Sequence, residues 1–117
     1  MNLNERRWVM EKLLKWKRIE ANFYECPETV VECYSIDDGD FSEKTLTGPL
    51  LFALCRIARE RCIRVRLEDW RGYSDDGHNG NIEVYLYDNN NGNETTFDNN
   101  TLNLALIAAA RKILEDK

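Results

Sequence analysis

Apolar and polar positions alternate along this chain in two periods, and their order predicts its elements. "NERRWVMEKLLKWKR", residues 4 to 18, sets Trp8, Val9, Leu13 and Trp16 close to one stripe with charges elsewhere, and Asn4 stands where a cap belongs. An amphipathic helix over 4–18 is expected. The period is lost over 19–28, which include Pro27, and "TVVECY" (29–34) is short and β-branched, so a strand there is a weaker expectation. "SIDDGDFSEKTLTG" (35–48) is polar and turn-rich, with Asp38-Gly39 its sharpest breaker.

A second helix is expected from about 48 to 60. Thr47 offers a cap, Pro49 sits in the first turn where its missing N–H is harmless, and Leu50, Leu51, Leu54, Ile57 and Ala58 follow at helical spacing. The period then switches to two. In "CIRVRLEDW", Ile63, Val65 and Leu67 alternate with Arg64, Arg66 and Glu68, and in "NIEVYLYD", Ile82, Val84 and Leu86 alternate with Glu83, Tyr85 and Tyr87. Each reads as a half-buried strand. Between them "RGYSDDGHNGN" carries two Xaa-Gly turn pairs, Asp76-Gly77 and Asn79-Gly80.

"YDNNNGNETTFDNN" (87–100) raises the question of a calcium loop, because acids and amides surround one glycine. The register excludes it. An EF-hand loop started at Asp88 puts Gly92 at position five and Asn99 at position twelve, where glycine at six and a bidentate acid at twelve are required. Asn91-Gly92 between an alternating strand and "ETTFD" reads instead as a β-hairpin turn. Asp98, Asn99 or Asn100 then caps a final helix built on Leu102, Ala105, Leu106, Ala109 and Ile113. The expected fold is one α+β domain over 1–117, a small antiparallel sheet of three to four strands packed with helices in an α/β/α sandwich-like arrangement.

Composition narrows the function. Of 117 residues, 43% are hydrophobic and 32% charged, the balance of a folded globular chain that buries a core of its own. The net charge of −5 weighs against nucleic acid as the partner. The N-terminal stretch lacks the uninterrupted apolar region of a secretory signal and no apolar run reaches bilayer length, so the expected compartment is the cytoplasm, with no membrane association. Cys26/Cys33 and Cys55/Cys62 are each seven apart, a spacing that suits neither a direct bridge along a helix nor a metal knuckle. Reduced, buried thiols are expected, and no metal or cofactor.

Catalysis finds little support. The sole histidine, His78, lies in a turn-rich stretch, no nucleophile signature or glycine-rich phosphate loop occurs, and the carboxylates of Asp37, Asp38, Asp40, Asp75 and Asp76 sit in segments where aspartate is an ordinary turn former. The expectation is a noncatalytic protein. Its arginines are more informative: Arg56, Arg59, Arg61, Arg64 and Arg66 fall within twelve residues against one acid, Glu60. Arg64 and Arg66 share the polar strand face on which Tyr85 and Tyr87 of the next strand stand beside them if the two strands pair in register. With Trp70 at the end of the strand, these are the candidate partner-binding residues: Arg64, Arg66, Trp70, Tyr85 and Tyr87. Three readings follow. A protein partner docks on the Arg/Tyr face, or the acidic loops make this an immunity-like or anti-defence inhibitor that blocks a basic site, or, against the noncatalytic expectation, the loop carboxylates serve a small enzyme. Homo-oligomerisation through a sheet edge or the alanine-rich last helix stays open.

Three stretches, "RWVMEKLLKWK", "GPLLFALCRIARERCIRVRL" and "NLALIAAARKIL", together resemble the small phage ABA-sandwich domain proteins: an opening helix closing on tryptophan, a helix running into the first hairpin strand, and an alanine-rich last helix. They cover under half of the chain. The resemblance implies helices on both faces of a small antiparallel sheet and a phage or prophage setting in a bacterial cytoplasm. It carries over no catalytic residues. Residues 19–46 depart from the pattern.

Overall fold

A computed structural model describes residues 2–25, 33–36, 41, 46–71 and 81–115, with only the backbone of 33 and 34. The chain forms two compact units, Met1–Glu43 and Lys44–Lys117. Helices and antiparallel sheets make it an α+β protein, as expected.

The first unit opens with α1, Leu3–Trp8, capped by Asn2, whose side chain accepts from the Glu5 N–H at 2.8 Å. The cap is thus two residues upstream of Asn4. From Val9 to Leu13 the helix widens into a π turn, in which the Leu14 N–H returns to the Val9 carbonyl at 2.8 Å. Lys15 then takes a left-handed φ of 59° and the Trp16 N–H closes on the Met10 carbonyl at 2.9 Å, which ends the helix. The helix expected to reach residue 18 therefore stops near Leu14.

Lys17–Glu20 is instead strand β1, hairpinned to β2, Phe23–Glu25, across Ala21 and Asn22 and irregular between Arg18 and Glu20. β3, Cys33–Ser35, completes an antiparallel β1-β2-β3 meander and is the described end of the strand expected over 29–34. Side chains lock this unit together: Arg6 donates to the Ile36 carbonyl at 2.8 Å, Arg7 to Asn22 Oδ1 at 2.9 Å, and Tyr24 to Glu11 at 3.1 Å. Val9, Met10, Leu13, Tyr24, Ile36 and Phe41 are buried.

The second unit follows its pattern closely. α2, Thr47–Glu60, places Leu50, Ala53, Leu54, Ile57 and Ala58 inside. Thr47 is its first residue rather than its cap: Leu46 holds the cap position, and the Thr47 hydroxyl reaches Asn103 Oδ1 at 2.7 Å. Cys62, exposed and a free thiol, turns the chain with a φ of 58° into β4, Ile63–Asp69. β5, Ile82–Asp88, pairs antiparallel with β4 on one side and on the other with β6, Glu94–Asn99. The β5–β6 turn is the expected hairpin, with Gly92 at a φ of 76° and its N–H on the Asp88 carbonyl at 2.8 Å. Non-glycine residues rarely adopt that conformation.

α3, Leu102–Glu115, comes next. Its first turn closes on Thr101, whose carbonyl accepts from the Ala105 N–H, and of the expected caps Asn99 stands two residues upstream, its side chain accepting from the Thr101 N–H at 3.2 Å. α2 and α3 touch each other and the sheet face on which Ile82, Val84 and Leu86 are buried. Alanines at 105, 109 and 110 are buried in α3, small residues at which backbones approach closely. The opposite sheet face, even-numbered on β4 and odd-numbered on β5, carries the charges and tyrosines.

Candidate binding face

Antiparallel pairing sets the polar face in rows, because directly opposed residues project on the same side. Arg64 stands opposite Tyr87 and Arg66 opposite Tyr85; across β5, Tyr87 meets Glu94 and Tyr85 meets Thr96. In the next row Glu68, Glu83 and Asp98 lie side by side across the three strands. The face is therefore bipolar, with cations over aromatic rings at one end and carboxylates at the other.

The expected arginine–tyrosine pairs form. The Arg64 guanidinium carbon sits 4.5 Å from the centre of the Tyr87 ring and that of Arg66 sits 4.1 Å from the Tyr85 ring. Both distances fall within the range of cation–π attraction, about 0.5–1 kcal/mol for such exposed pairs. Stacking holds each guanidinium flat on a ring and leaves its N–H edge to a second ligand, which is how arginine grips carboxylates at interfaces. No described carboxylate forms an ion pair with Arg64 or Arg66.

The acidic row is tied to this arrangement through Tyr85, whose hydroxyl donates to Glu83. That hydrogen bond, helped by burial and by the negative charges of Glu83 and Glu68, pushes the Tyr85 pKa up to about 12, with Arg66 pulling the other way. Like charges opposed across strands are unfavourable. Glu68, Glu83 and Asp98 thus gather like charges in one row, with Glu83 accepting from the Tyr85 hydroxyl. Among the described residues no group of acids, cysteines or histidines has metal-binding geometry.

Trp70 follows the last paired residue of β4, its N–H on the Asn81 carbonyl at 3.0 Å, and keeps the parity of Arg64, Arg66 and Glu68. It is half-buried. Beyond it, Arg71 grips Asp69 through its guanidinium at 2.9 Å and through its own N–H, which holds that carboxyl near a pKa of about 2. The aspartates of the inhibitor reading, Asp37, Asp38, Asp40, Asp75 and Asp76, lie outside the described residues, as do Cys26 and His78.

A feature that sequence reasoning missed is a pocket of about 370 Å³ at the hairpin end of the second unit. Its floor includes Ile63, Leu86 and Ile113, and its rim Arg61, Asp88, Asn90 and Lys112. The rim is largely occupied with structure. Arg61 donates to the Ile113 carbonyl near the end of α3, Asn90 donates to the Arg61 carbonyl at 3.3 Å, and Asp88 accepts from the Asn90 N–H at 2.8 Å. A cation there satisfies the last carbonyls of a helix. The sequence signal was the amide-rich loop, which reads as a turn in either case.

No family model matches this chain, and no curated protein or solved structure matches it significantly. Among the described residues no helix is long and apolar enough to cross a membrane.

Proposed function

We propose that this protein acts by binding another protein, without catalysis, and that the partner docks on the outward face of β4, β5 and β6 through Arg64, Arg66, Tyr85 and Tyr87, with Trp70 at its margin. The observation that carries this reading is the pair of stacked arginines at 4.5 and 4.1 Å, exposed side chains already oriented on rings. Arginine and tyrosine are the residue types that dominate binding energy at interfaces, and preorientation lowers the entropy lost on docking. The acidic row beside them specifies the partner further. A matching surface presents carboxylates to Arg64 and Arg66 and a lysine or arginine to Glu68, Glu83 and Asp98. The same row and the net charge of −5 repel a phosphate backbone, which disfavours nucleic acid.

A capture experiment from bacterial lysate tests this, with and without nuclease, comparing wild type with a folded Arg64→Glu/Arg66→Glu variant. The expected result is a protein retained by wild type under both conditions, lost by the variant, and bound again when purified, more weakly as salt rises. Equal retention by the variant would remove the face from the proposal. Retention that disappears on nuclease treatment would replace the protein partner with nucleic acid.

A further inference from the structure

The outer edge of the second sheet carries a feature that the binding face does not use. β4 pairs with β5 on one side, and no described strand pairs with the other. Hydrogen bonding fixes which backbone groups point outward. At one end of the ladder the Asn89 N–H donates to the Cys62 carbonyl at 3.1 Å, and at the other the Trp70 N–H donates to the Asn81 carbonyl at 3.0 Å. Antiparallel bonds alternate, so the even-numbered positions between Cys62 and Trp70 turn their peptide groups toward β5. The odd ones, Val65, Leu67 and Asp69 among them, turn theirs to the open edge.

We propose that this edge joins a second copy of the chain, with β4 running antiparallel to its twin about a two-fold axis at Leu67, so that two three-stranded sheets become one continuous sheet. Leu67 then exchanges both of its outward hydrogen bonds with the other Leu67. Arg66 stands opposite the second copy's Glu68 on the polar face, at the closer, non-hydrogen-bonded spacing, and Arg64 opposite its Trp70.

Charge selects this register from its neighbours. A two-fold pairing that keeps core side chains on one face must be centred on a residue, since a one-residue slip reverses the faces. Centring on Val65 opposes Arg64 to Arg66, centring on Arg66 opposes two arginines, and centring on Glu68 opposes two glutamates. Only the Leu67 centre among these opposes no like charges, and symmetry gives it the Arg66–Glu68 pair twice.

A separate observation points to the same place. Leu67 lies on the core side of the sheet, opposite a fully buried Val84, yet is 38% exposed. The helices leave it bare at the strand edge, where its twin would cover it. Unprotected edges of this kind are templates for pairing. The contact is small, so the dimer is weak, with a Kd on the order of tens of micromolar, and salt-sensitive.

The partner reading uses Arg66 and Glu68 as well, but the open backbone of β4 and its self-association are measured on the purified chain with no partner present, so the two proposals fail separately. Sedimentation velocity on the full chain tests the edge pairing. Wild type is expected to shift from monomer to dimer as concentration rises. Arg66→Glu and Glu68→Arg, each checked for folding by circular dichroism, are each expected to weaken dimerisation at least about tenfold by opposing like charges. An equimolar mixture of the two variants restores it, because each mutant glutamate then faces a mutant arginine and each native residue keeps its opposite. A wild-type chain still monomeric at roughly 0.5 mM overturns the proposal. So does a dimer that both variants retain, or a mixture that fails to rescue.

Discussion

At Tyr85 one ring faces a cation and one hydroxyl faces a carboxylate, so a single residue reports on both ends of the polar face. Its raised pKa is a statement about stability. Folding favours the neutral hydroxyl, since ionisation would set a phenolate against Glu83. The resulting stability is fully present below the ordinary tyrosine value near 10 and is lost as pH rises through about 12. Wild type is therefore expected to lose stability between these limits. Tyr85→Phe, which keeps the ring under Arg66 and removes the titrating proton, should lose less. Urea midpoints measured at about pH 9 and about pH 11.5 compare the two. Equal losses in both proteins would show that Tyr85 does not carry the alkaline transition. The pairs themselves were legible beforehand, because strict alternation in both strands fixes the faces and leaves register as the one unknown.

At the scale of elements, legibility followed the length of the periodic signal. α2, β4, β5, the Gly92 turn and α3 all lie where alternation or helical spacing runs unbroken. The N-terminal helix misled because Trp8, Val9, Leu13 and Trp16 keep a plausible stripe while the π turn at Val9–Leu13 shifts the phase and a left-handed Lys15 stops the helix. β1 and β2 are short, and their turn at Ala21-Asn22 lacks the glycine that marks a hairpin. The pocket was illegible for another reason: Arg61, Asn90 and Ile113 meet only after three elements have docked. So was the Thr47–Asn103 hydrogen bond, which joins the first turns of α2 and α3 at a carboxamide only 1% exposed. Thr47→Val keeps the shape but removes the donor from a buried acceptor, and is expected to cost about 1–2 kcal/mol. Thr47→Ser should recover most of that. Urea unfolding of the three proteins decides it, and a Thr47→Val protein as stable as wild type would show that the bond adds nothing net.

Across the whole molecule, the two units differ in what each can sustain alone. Lys44–Lys117 contains a three-stranded sheet, two helices of 14 residues each, and a core that includes Leu50, Leu54, Val84, Leu106 and Ile113. Domains of this size commonly fold unaided, whereas chains near about 40 residues usually need a disulfide, a metal or a partner. Met1–Glu43 falls in the second class: its strands have four, three and three residues. A fragment of residues 44–117 is therefore expected to unfold cooperatively in urea, with the far-ultraviolet signature of helix and sheet, while a fragment of residues 1–43 shows no cooperative transition. The larger fragment also contains every residue of the polar face and of the β4 edge. It should keep the partner binding and the self-association of the full chain, each measured as above. A 44–117 fragment without a cooperative transition would mean that its core is completed by residues 1–43, and a folded fragment that no longer binds would move the partner's contact surface into those residues.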